Sequence, residues 1–575
     1  MAKSRKGRSI AKSPVMLGGT LVSAMAILAA PALAQTPAPG GTLDDQFTQP
    51  RLPESKPSAS FKLEKPQNGG ESSASAKAFD IRRIIVDGAT SADPSEIAKL
   101  TMPLEGQSLT LADLARLADS ITALYARDGF ALSFALVPEQ TVVDGIVHIR
   151  VVEGTLASWQ VAFANNTPLV GKARIESAIE RRLRPLVGAG PVRSADLERA
   201  LLAIDDLEGI KASVVIRQSA TTEGAADLVV MITSDPFDAA VGLDNRLRSE
   251  FGHEEMAASL AVNSIGLVGD RIEIASRNAV DFKSFNYLAV GYQAPVGLPS
   301  GTAYARYSTA KTEAKSGVLG LLDFTGSEQS FHLATRQPLI RSRARSLYLI
   351  AELNAVDTRS RLFGTSVVRD KVRTLSLGID YDWADSEGST SLVSGRFVKG
   401  LAGLGATDDA NPLRSRVFAN AESAFIGLRA YRDQPLASSF HLRVAGEAQY
   451  TVSSRSLSAT SECSYGGPAM GRGYDAGTIS GDHCLLASVE LARPFAARDL
   501  VIEPYLYGDL GLTSQNGPLE ASERRSDDAA SYGVGVRLFS AIGLAADLQI
   551  SQRTRTSVPL SGDETRVFFS ISMQR

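Results

Sequence analysis

The chain has 575 residues, 21% of them charged, with 60 basic against 63 acidic side chains and a formal net charge of −3. That length exceeds one ordinary domain, and the near-neutral balance leaves no basic footprint for nucleic acid, so no nucleic-acid partner is expected. Beyond the first 34 residues no run of 18 consecutive apolar residues occurs, which argues against a bundle of membrane-spanning helices.

The chain opens with Lys3, Arg5, Lys6, Arg8 and Lys12, then an apolar stretch over Val15–Ala30, then Ala32-Leu33-Ala34 before Gln35. Residues 1–34 are therefore read as a cleaved export signal, with an uncleaved anchor as the alternative. Such a signal places the mature chain in a disulfide-permissive compartment. Residues 35–77 are rich in Pro, Ser, Gly, Ala and Gln without an apolar period. They read as a flexible linker, within which a possible plug helix has no definite place.

Residues 78–154 predict a compact α+β unit. Phe79–Val86 reads as a strand ending at the turn signal Asp87-Gly88. A helix over Leu111–Arg127 carries the stripe Leu114, Leu117, Ile121, Leu124, with a Thr110/Asp113 capping box and Gly129 as its stop. Strands follow near Phe130–Val137 and Ile146–Val152. Residues 155–234 repeat the order: a strand over Leu156–Ala164, helices over Lys172–Leu183 and Ala195–Leu207 with Ser194 as cap, and strands at Lys211–Gln218 and Asp227–Thr233. Two units of one plan in tandem indicate a repeat; two unrelated α+β domains are the alternative.

From Phe237 onward the period changes to two. Phe440, Leu442, Val444, Ala448 and Tyr450 fall on one face, His441, Arg443, Glu447 and Gln449 on the other. Leu347, Leu349, Ala351, Leu353 and Ala355 repeat the pattern, as do Val567, Phe569, Ile571 and Met573. About sixteen such segments, separated by turns, predict a membrane β-barrel of about sixteen antiparallel strands over residues 235–575. The reason is strict: in lipid every backbone polar group must be paired internally, so strands span only as a closed barrel. A soluble solenoid or sandwich would also alternate, but needs less consistent charge on its inner face. The 6% aromatic content leaves thin interfacial girdles.

Inside this region lies Gly471-Arg472-Gly473-Tyr474, and the chain's two cysteines, Cys463 and Cys484, bracket it. An arginine between glycines is costly in a barrel lumen unless it has a partner. A disulfide would close a loop of about twenty residues, worth roughly 3 kcal/mol; two free thiols are the alternative.

The ordered set of motifs resembles the outer-membrane transporters of two-partner secretion, of the filamentous-haemagglutinin transporter and haemolysin secretion/activation type. In the first unit the resemblance rests on Tyr125, Gly129-Phe130, Val137-Pro138-Glu139-Gln140, Asp144-Gly145 and Val151-Val152-Glu153-Gly154. In the barrel it rests on Arg472-Gly473-Tyr474 and Gly508-Asp509-Leu510-Gly511. It implies two periplasmic POTRA domains, 78–154 and 155–234, before a sixteen-stranded barrel in the bacterial outer membrane. It implies that a loop of about residues 453–483 folds back into the lumen and that Arg472 pairs with Asp509 on the wall. Glu139, Gln140, Glu153 and Gly154 with Pro138 would be POTRA motif residues. Two departures stand out: Cys463 and Cys484 bracket the loop tip where the family has no general requirement for them, and Arg575 occupies the outward position where such barrels carry an aromatic residue read by the assembly machinery.

The implied function is ATP-free export of an unfolded partner exoprotein from the periplasm, with outer-membrane lipid and the barrel assembly machinery as further partners. An outer-membrane insertase is the alternative, and a small-solute porin a lesser one. No enzyme, cofactor or metal is expected. His253-Glu254-Glu255 lacks the second histidine of a zincin, the cysteines lack metal-site spacing, and no Walker-type loop or G-x-S-x-G elbow occurs. Arg181, Arg182 and Arg184 form a basic cluster on a predicted helix, read either as a solvated face or as a contact for an acidic export segment.

Overall fold

A computed structural model describes residues 78–164, 170–219, 221–222, 224–519, 524–557 and 564–575. The expected export signal and linker, and the plug helix considered within it, lie outside the described residues.

The first α+β unit is built around the helix Leu111–Arg127, whose start is fixed by reciprocal bonds between Thr110 and Asp113. Its buried face, Leu114, Leu117, Ile121, Leu124 and Tyr125, packs on a three-stranded sheet. In that sheet Arg83–Asp87 runs parallel to Ile146–Val152, which pairs antiparallel with Phe134–Leu136. The second unit has the same topology: Thr155–Phe163 is parallel to Ala225–Ser234, which pairs antiparallel with Ile210–Gln218. The helices Lys172–Leu183 and Ser194–Asp205 cover it.

Three local expectations are corrected. The strand expected over Phe79–Val86 is broken in two, Ala78–Asp80 and Arg83–Asp87. The break arises because the Ile81 and Arg82 amides switch partners, donating to the Gln107 and Gly145 carbonyls at 2.9 and 2.8 Å. The strand expected from Phe130 is reduced to Phe134–Leu136. Ser194 is the first helical residue rather than the cap, and its hydroxyl instead accepts from the Ala131 amide at 3.1 Å.

Sixteen antiparallel strands, from Phe237–Asp244 to Thr565–Gln574, close into a barrel. Their outward positions carry exposed apolar side chains such as Leu377, Leu506, Val534 and Leu548, while charged and hydroxyl groups turn inward. Closure is by five paired residues, Ser570↔Asp244 to Gln574↔Ala240. The Asn245 side chain extends that ladder, donating to the Val567 carbonyl at 3.0 Å and accepting from the Phe569 amide at 2.8 Å. The Arg575 backbone completes it against Ala239.

The second α+β unit sits against the barrel turns at 264–270 and 342–344. Arg341 forks onto both Asp206 carboxylate oxygens at 2.9 and 2.6 Å. The Ser264 hydroxyl donates to the Glu208 carbonyl at 2.9 Å, and Gly269 lies so close to Leu207 that a Cβ there would fall 2.6 Å from its methyl. One end of the barrel is thereby marked by the second α+β unit, and the loop at 452–482 belongs to the opposite end.

Candidate functional site

The chain between the strands His441–Thr451 and His483–Ala492 enters the barrel rather than leaving it. A two-stranded hairpin, Cys463–Tyr465 against Ile479–Gly481, forms its stem. The stem is held at its base by the Cys463–Cys484 disulfide, which joins it to a wall strand. Asp482, fully buried, accepts from the Leu457 and Asn516 amides at 2.6 and 2.8 Å and from Arg416 at 2.9 Å. These contacts satisfy a carboxylate that burial alone would make costly.

At the tip the backbone reverses, with Gly471 at φ +85°. That left-handed residue lets two successive N–H groups, of Gly471 and Arg472, converge on Asp509 Oδ2 at 3.1 and 2.9 Å. The Arg472 guanidinium then forks onto the same carboxylate, Nε to Oδ2 at 3.1 Å and Nη2 to Oδ1 at 3.0 Å. Such a bidentate pair is both strong and directional. Both residues are buried. The remaining guanidinium hydrogens reach Ser488 Oγ at 3.0 Å and Glu490, and the Tyr507 ring lies 3.5 Å from the guanidinium carbon.

The neighbouring tip residues are bound as closely. The Gly473 carbonyl accepts from Arg553 at 2.9 Å, and the Tyr474 hydroxyl donates to the Ala530 carbonyl at 2.9 Å. A Cβ at Gly473 would meet Ser531 at 2.8 Å, and one at Gly511 would meet the Tyr465 ring at 2.4 Å. Gly508 lies on the outer face of its strand, away from Asp509 and Gly511.

Residues that the sequence did not tie to Arg472 extend this site toward the end of the barrel that carries the second α+β unit. Glu490 accepts from Arg472, from Arg537 at 2.7 and 2.8 Å, and from Arg443 at 3.0 Å. Glu503 accepts from Arg443 twice at 2.8 Å and from Arg537 at 2.9 Å. Positive and negative groups thus alternate from Asp509 through Arg472, Glu490, Arg537 and Glu503 to Arg443. Removal of any one member leaves its neighbours short of a counter-charge in a place that excludes most water. The period-two pattern already holds the clue, since Glu503, Tyr505, Tyr507, Asp509 and Gly511 share one parity.

In the first α+β unit the motif residues are architectural. Glu153 accepts from the Thr90 and Ser91 amides at 2.7 and 2.6 Å and from the Tyr125 hydroxyl at 2.8 Å. Burial pushes its carboxyl up, and the bonds from Thr90, Ser91 and Tyr125 outweigh this and hold it below the ordinary range. Gly154 lets the backbone pass Leu132, whose carbonyl oxygen would lie 2.3 Å from a Cβ. The Gln140 side chain bonds the His148 amide and carbonyl, each at 2.7 Å, beside Pro138. Glu139 is exposed. In the second unit Arg182 ties two helices together through the Ala203 and Ala178 carbonyls at 2.9 and 2.8 Å, and is not free to meet a partner.

Comparison with known proteins matches this arrangement. The model of the ShlB-type POTRA domain covers residues 79–154, and that of haemolysin secretion/activation protein ShlB/FhaC/HecB covers residues 226–538. The heme/hemopexin transporter protein HuxB of Haemophilus influenzae is 22% identical over 475 residues, 80% of either chain. The outer membrane transporter CdiB of Escherichia coli is 23% identical over 470 residues, 79% of this chain and 74% of that one. Among solved structures, CdiB from Escherichia coli superposes with a TM-score of 0.68 at 19% identity, covering 89% of this chain and 93% of that chain. CdiB from Acinetobacter baumannii gives 0.59 at 15% identity, covering 93% and 96%. These likenesses favour secretion over membrane-protein insertion. The chain belongs to the haemolysin secretion/activation protein ShlB/FhaC/HecB family and is an outer-membrane transporter of two-partner secretion.

Proposed function

We propose that this transporter takes an unfolded exoprotein from the periplasm and passes it through the barrel, and that the lumenal loop gates the passage. On this reading residues 78–154 and 155–234 are two POTRA domains, and residues 235–575 are the pore. The observation that carries the reading is the seat of the loop tip. Gly471, Arg472, Gly473 and Tyr474 are fixed to the wall by polar contacts and by Asp509, with no covalent bond at the tip. A contact of that kind is firm at rest and can be exchanged for others.

Cargo capture would use the sheet edges. Among the described residues each three-stranded sheet has two edge strands, the start of the Thr155–Phe163 edge being bridged by Val187. An extended segment adds to such an edge through main-chain hydrogen bonds, which read shape more than sequence. The far side of an inner membrane offers no ATP, so folding outside the cell supplies the direction. Outer-membrane lipid surrounds the apolar band, and the barrel assembly machinery inserts the chain.

The test compares culture supernatants by mass spectrometry from wild type, a deletion strain and an Arg472→Ala strain, with barrel levels checked in the outer membrane. Loss of one large protein in both mutants is expected, with other barrels normal. An unchanged supernatant under expressing conditions would remove the export reading, and broad loss of other barrels would point to insertase activity.

A further inference from the structure

Three neighbouring hairpin strands are longer than a membrane requires: Thr325–Arg341, Arg345–Leu362 and Thr365–Ala384 have 17, 18 and 20 residues. A strand of about ten residues spans the hydrocarbon layer. Their outward face changes character along its length. Leu333, Leu353 and Leu375 form an apolar row in register. Two residues further from the periplasmic end comes the row Tyr307, Phe331, Ala355 and Arg373, and then Thr309, Gln329, Asp357 and Lys371. One step beyond lies the row Lys311, Ser327, Arg359 and Arg369. At about 3.4 Å per residue, that last row lies roughly 20 Å along the tilted strands from the leucines.

Arg359 and Arg369 are directly opposed across the ladder, an arrangement of like charge that destabilises a sheet. Neither side chain, nor that of Arg361, has a hydrogen-bond or ion-pair partner among the described residues, and Arg361 and Arg369 are exposed. Asp357 is already engaged by Arg373 at 2.7 Å and by Lys371 at 3.6 Å. The patch thus holds Lys311, Arg359, Arg361, Arg369 and Lys371, with Arg373 committed to Asp357 and to the Leu404 and Val356 carbonyls, against Asp357, the neighbouring Glu313 and, on the segment paired along the edge of the last strand, Asp408 and Asp409. It lies on the outside of the barrel, at the end away from the second α+β unit.

We propose that this patch binds the phosphates of an outer-leaflet glycolipid. Charge complementarity selects the occupant. The position just beyond an apolar band is where a lipid headgroup sits, and opposed guanidiniums match a phosphate placed between them. A lipid held there by its phosphates also lays its acyl chains along Leu333, Leu353 and Leu375. Polybasic surfaces attract anionic headgroups in the same way. The inference rests on the outer-membrane placement of the barrel and is independent of what passes through it.

The full-length protein, purified in detergent and stripped of lipid, is titrated with diphosphorylated lipid A, with its phosphate-free counterpart and with inorganic phosphate. Native mass spectrometry counts the bound lipids. The first variant is Arg359→Gln with Arg369→Gln, and the second adds Arg361→Gln and Lys311→Gln. Heat-modifiable gel mobility verifies that each barrel is folded. The expected result is retention of the diphosphorylated lipid, weakened roughly tenfold or more in the fourfold variant, with little retention of the phosphate-free form. Equal retention of both lipids, equal retention by wild type and variants, or displacement by millimolar inorganic phosphate would each overturn the proposal. Cargo in the supernatant is scored separately, so failure of export and failure of lipid binding are told apart.

Discussion

The Tyr465 ring lies directly over Gly511, so close that a Cβ on residue 511 would come within 2.4 Å of the ring. Tyr465 belongs to the stem of the lumenal loop and Gly511 to the wall strand that carries Asp509. A missing side chain on the wall is therefore what lets the stem lie flat and bring Arg472 to its carboxylate.

Substitution of Gly511 separates seating of the loop from assembly of the barrel. Gly511→Val must push Tyr465 away, and overpacking of this kind typically costs about 1–3 kcal/mol. The outer face of the strand is untouched, so the barrel should reach the outer membrane at normal levels. Conductance of the purified protein in planar bilayers should rise, and protease should cut between 463 and 481 in intact cells. Unaltered conductance would mean that the stem does not depend on this contact.

The lumenal charges should behave as one unit. Arg472→Ala exposes Asp509 and Glu490 to burial without their shared partner, and breaking a buried pair costs about 3–5 kcal/mol. Asp509→Asn should cost a similar amount, and the double variant much less than the sum, because a shared interaction is lost only once. Arg472→Lys should not rescue, since an ammonium cannot bridge Asp509, Ser488 and Glu490 with one planar fork. Urea unfolding in detergent for the four proteins provides the cycle. Strict additivity would show that Arg472 and Asp509 are independent.

Alternation exposed the barrel and put Asp509 and Gly511 on one face, and the glycine-flanked Arg472 announced its need for a partner. Glu490, Arg537, Glu503 and Arg443 were harder to see. Parity places each on the lumen side, but which strands come opposite depends on the register of every intervening pair, and that is a property of the closed barrel. Gly508 shows the sharpness of this rule, since one residue along a strand reverses the face. The break at Ile81 and Arg82 was hidden for a related reason: their backbone partners, Gln107 and Gly145, are distant in sequence.

The disulfide should tie down the base of the loop without holding its tip. Cys463 and Cys484 are 21 positions apart, and closing a loop of that size is worth about 3 kcal/mol by chain entropy. The Cys463→Ser, Cys484→Ser double variant should lower the urea midpoint accordingly. The bonds of Arg472 lie beyond the bridge and do not involve it, so conductance at rest should change far less than in Gly511→Val. Full opening of the pore on reduction would instead make the bridge part of the gate.

Glu153 gives the first α+β unit its own dependence on acid. Its carboxyl is held below the ordinary value of 4.5, since bonds from Thr90, Ser91 and Tyr125 outweigh the effect of burial. A group whose folded value lies below its unfolded one adds stability that is fully present above the unfolded value. That stability is lost as pH falls through the folded value. The unit should therefore be at full strength at neutral pH and weaken progressively below about pH 4.5. Glu153→Gln keeps the shape but removes the negative charge on which five donors converge, and its NH2 meets the Thr90 and Ser91 hydroxyls only if these turn to accept. It should cost about 1–3 kcal/mol at pH 7 and flatten the acid limb. Pulse proteolysis in urea on the full chain, following cleavage within 78–154 at pH 7 and at pH 4, reads both effects. An acid limb as steep in the variant as in wild type would assign it to another carboxylate.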